Sequence, residues 1–233
     1  MQLFLSDLHL EHPDSAGFIA LRNLLRREVG HCDAVYFLGD LTEVWVGDDD
    51  DGPLATALTD LLQEASRHCE VHIMHGNRDF LFGPRFCERT GVRLISDPTI
   101  LDADTLLAHG DAFCTDDHAY QQLRDIIRGE QWQQQILAQT LNDRRELAKT
   151  MREQSLLANA NKAANIMDVN DLELERVMQH TARSVLIHGH THRPGVHRHH
   201  WGIRYVLGAW ESCGWLLRRS ATDYQLECFP LPD

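Results

Sequence analysis

The chain has 233 residues, and its 43% hydrophobic and 24% charged content is typical of one folded domain and excludes a disordered, collagen-like or coiled-coil chain. Its 35 Asp and Glu residues outnumber 22 Lys and Arg residues, and the formal net charge of -13 argues against a general nucleic-acid-binding protein. The 15 histidines raise the question of a metal site, because imidazole is the commonest protein metal ligand.

The six cysteines are scattered and contain no C-x-x-C pair, so they predict reduced thiols in a cytoplasmic protein. The first seven residues turn acidic at Asp7 and lack a basic leader, which argues against a signal peptide. No segment approaches the roughly 18 apolar residues that a membrane span needs. We therefore expect any membrane contact to be peripheral.

Short apolar segments alternate with helical patterns in the first half of the chain. Apolar residues recur at helical spacing between Phe18 and Val29 and again between Leu54 and Ala65. The segments predicted to be strands are Met1 to Leu5, Ala34 to Leu38, Val71 to Met74 and Leu106 to Ala108. This alternation predicts an α/β fold.

A helical lid is predicted at about residues 118–165, inserted into a single domain that spans residues 1–233. No Gly or Pro interrupts the chain between Glu130 and His188, which favours helices. Residues 118–165 contain seven Lys and Arg residues and five acidic ones, a balance of +2 in an acidic chain. A basic helical cover indicates an anionic partner or substrate, and the alternative is a solvated helix pair of mixed charge.

The C-terminal part changes character after Arg183. Short strand-like segments follow one another there with no room for helices between them, and we interpret them as a β meander. They are Val185 to His188, Val196 to His199, Ile203 to Leu207, Trp215 to Arg218 and Tyr224 to Phe229.

Five clusters of candidate metal ligands follow the predicted strands. Open α/β sheets collect their ligands outside the carboxyl ends of strands, so these clusters are expected to meet. Asp7 and His9 are two residues apart, as are His190 and His192, and in an extended segment each pair projects to one side. The clusters are Asp7-Leu8-His9, Gly39-Asp40, Gly76-Asn77-Arg78-Asp79, His109-Gly110-Asp111 and Gly189-His190-Thr191-His192.

In their order along the chain, the clusters resemble the D-x-H, G-D, G-N, H and G-H-x-H pattern of the calcineurin-like metallophosphoesterases. The resemblance implies an α/β sandwich of two mixed sheets flanked by helices, with two metal ions in one site. The mixed oxygen and nitrogen set favours Mn²⁺ or a similar first-row ion over Mg²⁺. The implied ligands are Asp7, His9 and His192 for one ion, Asn77, His109 and His190 for the other, and Asp40 as the bridge.

The chemistry expected of such a site is hydrolysis at phosphorus. Two cations about 4 Å apart can acidify a shared water and neutralise charge during displacement. Many members of the family carry His after the Asn, whereas this chain carries Arg78. Arginine does not give up its proton, but it stabilises the charge that grows on a phosphate leaving group, so it favours a pyrophosphatase. The catalytic candidates are Asp40, Arg78 and His190.

Longer strings resemble the UDP-2,3-diacylglucosamine pyrophosphatases of lipid A synthesis over nearly the whole chain. Such a resemblance implies that water attacks the α-phosphorus to give UMP and 2,3-diacylglucosamine 1-phosphate. The strings are Glu43 to Asp50, His75 to Leu81, Ala108 to Asp111, Cys114 to Asp117, Ile166 to Asn170, Ile187 to Pro194 and Val206 to Trp210.

The same resemblance implies the substrate-binding residues. A substrate with two acyl chains needs an apolar cleft, and the apolar residues of the lid could line it. By similarity, the substrate-binding candidates are Asn77, Arg78, Asp117, Ser155, Asn159, Lys162 and His190, with Tyr120 and Arg152 added. The candidates for the cleft are Leu137, Leu141, Leu147, Met151, Leu156 and Leu157.

Two other functions are compatible with the same residues. One is a pyrophosphatase of soluble nucleotides such as dinucleoside polyphosphates, and the other is a scaffold that has lost its metals. The lipid substrate and the basic lid favour an enzyme in the cytoplasm, bound peripherally to an anionic inner-membrane surface, with no protein partner. Two further features allow either a cation site or a solvated surface, and we favour the latter: Asp48 to Asp51, and His197, His199 and His200.

Overall fold

The computed structural model describes residues 1–160, 166–221 and 223–232, and these residues form two β-sheets with helices outside them. The strands are β1 (Gln2–Leu5), β2 (Ala34–Leu38), β3 (Glu70–Met74), β4 (Arg93–Ile95), β5 (Thr99–Ile100), β6 (Thr105–Leu107), β7 (Val185–His188), β8 (Gly195–His199), β9 (Gly202–Val206), β10 (Cys213–Arg219) and β11 (Tyr224–Pro230). The helices are α1 (Ala16–Glu28), α2 (Pro53–Ser66), α3 (Pro84–Thr90), α4 (His118–Ile127), α5 (Glu130–Leu137), α6 (Leu141–Ala160) and α7 (Asp171–Thr181).

Both sheets are mixed, as the sequence predicts. The first has the strand order β11-β10-β1-β2-β3-β4, with parallel pairing from β1 to β4 and antiparallel pairing of β10 and β11. The second has the order β5-β6-β7-β9-β8, in which β6, β7 and β9 are parallel. Helices α1 and α2 connect the parallel strands β1, β2 and β3, which is the connection that parallel pairing requires.

The core has three layers of apolar contacts. Phe4, Tyr36, Leu107 and Ile187 belong to the cluster that joins side chains of the two sheets, so this cluster fills the space between them. A second cluster packs α1, α2 and α3 on the first sheet, and a third packs α7 on the second. Strand β2 is buried at all five positions because the first sheet is covered on both faces.

The three helices α4, α5 and α6 occupy the stretch where the sequence predicts a helical insertion, and we call them the lid. Asp117 caps the first of them by accepting a hydrogen bond from the Tyr120 N–H at 3.2 Å. The expected end near residue 165 lies outside the described residues.

The four consecutive aspartates Asp48 to Asp51, which we call the acidic loop, hold the lid and a neighbouring helix. Asp48 accepts hydrogen bonds from the N–H groups of Gly83 and Phe86 at the start of α3, at 2.9 and 3.0 Å. The three following aspartates bind two arginines of α6: Arg144 pairs with Asp49, and Arg145 pairs with Asp50 and Asp51. The exposed acidic loop predicted from the sequence is confirmed for Asp49 and Asp51, which are exposed, whereas Asp48 and Asp50 are half-buried. The sequence did not predict that these carboxylates are docking contacts of the body.

The prediction of a C-terminal β meander is wrong. Only β8–β9 and β10–β11 are antiparallel neighbours, whereas β7 pairs in parallel with β9. Strands β10 and β11 belong to the first sheet, where β10 pairs with β1. Local alternation of apolar residues predicts a strand but not the strand that it pairs with. The chain passes from the second sheet to the first between β9 and β10, where β10 pairs with β1.

We predict that an ion pair between helix and sheet makes stability depend on pH. Arg218 of β10 donates two hydrogen bonds of 2.8 Å to the buried carboxylate of Glu28 in α1, which lowers the pKa of Glu28 from 4.5 to about 2. Because the folded pKa is depressed, this stabilisation is present above pH 4.5 and is lost as the pH falls towards 2. Glu28→Gln should lower the free energy of unfolding by up to about 3 kcal/mol at pH 7.

Urea unfolding of metal-free protein between pH 3 and pH 7 measures this difference. Glu64→Gln, at an exposed ion pair with Arg67, is the control and should leave the free energy of unfolding unchanged within error. A Glu28→Gln effect that does not shrink as the pH falls would contradict the assignment.

Candidate metal centre

All seven predicted metal ligands lie in loops that follow strands. Asp7 and His9 follow β1, Asp40 follows β2 and Asn77 follows β3 in the first sheet. In the second sheet, His109 follows β6, and His190 and His192 follow β7. The carboxyl ends of parallel strands meet at one edge, and the structure brings these residues together from both sheets.

Three of the side chains form a first group of candidate ligands. The Nε2 atoms of His9 and His192 are 3.2 Å apart, and His192 Nε2 lies 3.5 Å from Asp7 Oδ1. The ligand atoms of this group all lie within 4.8 Å of one another, a spacing that suits a common ion. Asp7 Oδ1 is buried and has no hydrogen-bond partner, so a cation would satisfy it.

A second group lies beside the first. Asn77 Oδ1 is 3.1 Å from His109 Nε2 and 2.9 Å from His190 Nδ1. Asp40 stands between the groups, with Oδ2 3.8 Å from His9 Nε2 and Oδ1 3.8 Å from His109 Nε2. This position suits the bridging role predicted for Asp40, although Asp7 also belongs to both sets of nearby atoms.

Hydrogen bonds orient the buried imidazoles. His109 Nδ1 donates to the carbonyl oxygen of Leu38 at 2.9 Å, so Nε2 is the ring nitrogen that faces Asn77 and Asp40 and that would bind a metal ion once it loses its proton. Burial and the charge of His109 lower the pKa of His190 to about 4, so that its imidazole is neutral at pH 7. Neutral imidazole is the form that binds a metal ion.

Charges within the site act in opposite directions on two of its members. Burial favours the neutral form of both, but the carboxylates of Asp40 and Asp111 raise the pKa of His109 to about 9. Burial likewise raises the pKa of Asp7, but the nearby imidazole of His192 and the charge of His109 hold it below its ordinary value. In the protein without metal, the positive charge of His109 thus compensates the buried carboxylate of Asp7. A bound metal cation would take over this role.

The sequence predicted extended backbone at the pairs Asp7/His9 and His190/His192. The structure shows that this prediction is wrong. Five of the seven candidate ligands have left-handed φ angles, which range from 48° at His9 to 66° at His190. These five are Asp7, His9, Asp40, His190 and His192. Such a conformation is strained in a non-glycine residue. The side chains of each pair converge because of these turns rather than because of strand alternation.

Two motif glycines are required by close packing. A Cβ on Gly189 would lie 2.1 Å from Asp7 Oδ2 and from Ser6 Oγ, and a Cβ on Gly76 would lie 2.1 Å from Asp40 Oδ1. The missing side chains let the Asp7 and Asp40 carboxylates approach the neighbouring loops. His190 N–H donates to Asp7 Oδ2 at 2.9 Å across this gap.

Asp79 is a functional residue to which the sequence argument gave no role. Its buried carboxylate accepts hydrogen bonds from four backbone N–H groups, those of Gly76 at 2.8 Å, Leu41 at 2.7 Å, and Asp40 and Thr42 at 3.3 Å. These bonds fix the loops that carry Asp40 and Asn77. The sequence feature that could have indicated this role is the position of Asp79 in the Gly76-Asn77-Arg78-Asp79 cluster.

A cavity of about 550 Å³, which we call the polar chamber, opens above the candidate ligands. Its wall includes His9, Asp40, Asn77, Arg78, Tyr120 and His190. Arg78 Nε is buried without a hydrogen-bond partner, so it is a donor available to an anion.

The other predicted substrate residues are distributed around this chamber. Asp117 and Ser155 line it, and Tyr120 donates a 2.6 Å hydrogen bond to Asp111 Oδ2. Arg152 lies at the edge of the adjoining cavity and pairs with Glu43. Lys162 lies outside the described residues, and for Asn159 only its place in α6 is described.

A smaller cavity of about 120 Å³, which we call the apolar cleft, shares Arg78, Tyr120 and Ser155 with the polar chamber. Its apolar wall is contributed by both the body and the lid, through Phe80, Trp132, Ile136, Leu147 and Met151.

The lid residues predicted for this cleft are only partly found there. Leu147 and Met151 line the cleft, but Leu137, Leu156 and Leu157 are exposed. Leu141 is half-buried and is not among the lining residues. Helical periodicity does not distinguish the face of α6 that meets the body from the face that meets solvent, because both contain leucine.

The histidines of β8 and the following turn do not gather. His200 pairs with Glu175 at 3.2 Å, and the His199 ring stacks on Trp201 at 4.6 Å between centroids. Within the part of the chain that the structure describes, the candidate metal-binding groups contain neither of these histidines nor His197.

The chain is similar to known proteins in both sequence and fold. The family model described as calcineurin-like phosphoesterase matches residues 2–194. The chain is similar to proteins named UDP-2,3-diacylglucosamine hydrolase from Cellvibrio japonicus, with 43% identity over 96% of this chain and 97% of the relative, and from Pectobacterium carotovorum, with 40% identity over 98% of each. A solved archaeal phosphodiesterase shares the fold, with a TM-score of 0.50 and 13% identity over 98% of this chain and 99% of that one.

We predict that adding one methyl group at Gly189 disrupts the centre. Because the new Cβ in Gly189→Ala would collide with Asp7 and Ser6, Asp7 must move. The substitution should lower the free energy of unfolding by about 1–3 kcal/mol and should weaken Mn²⁺ binding by more than about tenfold. Titration calorimetry of metal-free protein with Mn²⁺ measures the affinity.

Gly30→Ala is the matched control, because a Cβ there meets nothing within 4 Å. It should leave Mn²⁺ affinity unchanged and stability within about 0.5 kcal/mol. Mn²⁺ binding of Gly189→Ala equal to that of the unmodified protein would show that Asp7 does not contribute to the site.

Proposed function

The chain belongs to the calcineurin-like phosphoesterases and, within them, to the UDP-2,3-diacylglucosamine hydrolases, and on this basis we propose that it hydrolyses UDP-2,3-diacylglucosamine in lipid A biosynthesis. Water attacks the α-phosphorus, the bond from that phosphorus to the bridging oxygen breaks, and UMP and 2,3-diacylglucosamine 1-phosphate leave. The observation that carries this proposal is the position of Arg78. It borders both the polar chamber, beside the candidate metal ligands, and the apolar cleft.

The donor set fits a pair of divalent metal ions. Asp7, with its unsatisfied Oδ1, would hold one ion together with His9 and His192, and Asn77, His109 and His190 would hold the other, with Asp40 between them. Mixed imidazole and oxygen donors favour a first-row ion over Mg²⁺, and we propose Mn²⁺, two per chain. When bound, such ions supply Lewis acidity and acidify a water molecule.

The residues of the chain supply orientation and charge compensation. Asp40 Oδ1 accepts a hydrogen bond from the backbone N–H of Arg78 at 2.8 Å, which holds this arginine beside the proposed bridging ligand. The guanidinium of Arg78 stabilises the charge that develops as the P–O–P bond breaks, and a phosphate leaving group departs without a general acid. His190, whose pKa of about 4 keeps its imidazole neutral, lines the same chamber and would face this phosphate as a polar neighbour.

The lid supplies the lipid-binding side of the reaction. The acyl chains would enter the apolar cleft, where Trp132, Leu147 and Met151 offer apolar contact. Asp117, Tyr120, Arg152, Ser155, Asn159 and Lys162 are proposed to bind the sugar and diphosphate. A soluble dinucleoside polyphosphate has no group that would use the cleft, so the alternative substrate class is not favoured.

Product analysis tests the proposal. With Mn²⁺, the protein should release UMP from UDP-2,3-diacylglucosamine, and removing the acyl chains should lower kcat/KM by more than about 100-fold because burial of apolar surface is lost. Asp40→Ala should abolish turnover, whereas Glu64→Gln, far from the site, should leave it unchanged. Equal rates with and without acyl chains, or UMP release by Asp40→Ala, would overturn the proposal.

The lid also supports a proposal of peripheral binding to the cytoplasmic face of the inner membrane. None of the helices in the described part of the chain is long and apolar enough to cross a membrane. The lid exposes Ile126, Leu137 and Leu156 to solvent, with exposed fractions of 58, 44 and 53%, and carries the exposed Lys149. Basic residues near anionic lipid contribute about 1 kcal/mol each, so binding is weak and sensitive to salt.

Vesicle sedimentation measures this binding. The protein should sediment with anionic vesicles at low salt but not at high salt, and Lys149→Glu should weaken the binding. Arg26→Glu, on α1 at the outer face of the first sheet, makes the same charge change away from the lid and is the control. Absence of sedimentation at both salt concentrations would contradict the proposal.

A further inference from the structure

Glu43 lies where the loops after the first two strands run side by side. The His9 N–H donates to the carbonyl oxygen of Asp40 at 3.0 Å, and the Glu43 N–H donates to that of Leu10 at 3.0 Å. A parallel bridge between Leu10 and Thr42 lies between these bonds. The backbone at Glu43 is therefore bonded to that of Leu10, the residue next to His9.

The carboxylate of Glu43 has two partners on opposite sides. Its Oε2 accepts a hydrogen bond from His9 Nδ1 at 2.8 Å, and its Oε1 forms an ion pair with Nε of Arg152 in α6. Only 12% of the Glu43 side chain is exposed. A carboxylate in such surroundings is costly unless it is paired, so both contacts stabilise it.

The contact with His9 determines which ring nitrogen is available to the metal centre. With the Nδ1 proton donated to Glu43, the lone pair of His9 resides on Nε2, the atom that lies 3.2 Å from His192 Nε2. A carboxylate behind a ligating imidazole also raises its basicity. Glu43 does not join the candidate ligand groups of the described residues and so acts through His9.

The contact with Arg152 connects the same carboxylate to the lid. Displacement of α6 would leave Glu43 with a single partner and would loosen its hold on His9. The other ion pairs between the lid and the body, such as Arg144 with Asp49, touch none of the candidate ligands. Glu43 is thus the described ion pair through which the position of the lid reaches His9. A second lid residue, Tyr120 of α4, stacks its ring on His190 at 6.1 Å between centroids, on the other group of candidate ligands.

We infer that Glu43 is a positioning residue that couples the lid to the metal centre, by orienting His9 on one side and holding Arg152 on the other. This inference rests on the proposed function, in which His9 binds a metal ion and Arg152 binds substrate. Because coupling between two binding events is reciprocal, metal binding and substrate binding each strengthen the other through Glu43.

Metal-binding measurements test the inference without substrate. Titration calorimetry of metal-free Glu43→Ala with Mn²⁺ should show a loss of about 10–100-fold in affinity at one of the two sites. Asp49→Asn, which removes a lid contact remote from His9, should leave both Mn²⁺ affinities unchanged. If Glu43→Ala is unfolded by circular dichroism, Glu43→Asp takes its place, because its carboxylate is one methylene too short to keep the 2.8 Å bond.

Substrate kinetics then separate the two contacts of Glu43. In Glu43→Gln, the amide oxygen can still accept from His9 Nδ1, but the charge that pairs with Arg152 is lost. This variant should keep Mn²⁺ affinity within about threefold and raise KM about fivefold with a smaller change in kcat, the loss expected of one partly exposed ion pair. Arg152→Ala should raise KM similarly, and the double variant Glu43→Gln/Arg152→Ala should be no worse than Arg152→Ala alone.

Wild-type Mn²⁺ affinity in the folded Glu43→Ala or Glu43→Asp variant would overturn the inference, as would additive KM effects in the double variant. The proposed function fails by a different result, namely the absence of acyl-dependent UMP release by the unmodified protein. The two failures are distinguishable because Mn²⁺ affinity is measured on metal-free protein in the absence of substrate.

Discussion

A buried carboxylate with an unsatisfied oxygen is the constraint on which the rest of the site depends. Asp7 is fully buried, and its Oδ1 has no hydrogen-bond partner. Burying such a charge costs several kcal/mol unless an opposite charge compensates it. The surrounding imidazoles of His9, His109 and His192 supply part of that compensation, and a cation would supply the rest. The motif glycine at position 189 exists because nothing larger fits beside this carboxylate.

The turns that gather the ligands are themselves unfavourable, and the sheets beneath compensate for them. Left-handed backbone costs roughly 1 kcal/mol or more for each of the five residues that adopt it. Together this is comparable with the whole net stability of an ordinary domain, about 5–15 kcal/mol. Strand β1, buried except at Gln2, the fully buried strand β2 and the four hydrogen bonds to Asp79 hold these turns in place. Strain is thus concentrated at the site, where convergence of the ligands requires it.

The lid is attached by a different kind of interaction. Its helix α6 meets the body through Arg144 and Arg145 on the acidic loop and Arg152 on Glu43. The Arg145 and Arg152 pairs are partly exposed and contribute only about 0–1 kcal/mol each, whereas the Arg144 side chain is buried and also donates to the carbonyl oxygen of Val46. The basic balance of residues 118–165 therefore serves first to dock the lid on an acidic part of the same chain. Only the remainder is available to an anionic substrate or membrane.

The sequence by itself determined the order of strands and helices in the first half and the clusters that follow the strands. Local chemistry suffices there, because a buried strand must be apolar and a ligand must be Asp, Asn or His. The pairing of β7 with β9, the transfer of β10 to the first sheet and the partners of Asp48 to Asp51 were decided only by the tertiary structure. The same holds for the two contacts of Glu43, whose partners are 34 and 109 positions away along the chain. Such contacts depend on how separate elements pack, and no local pattern records that.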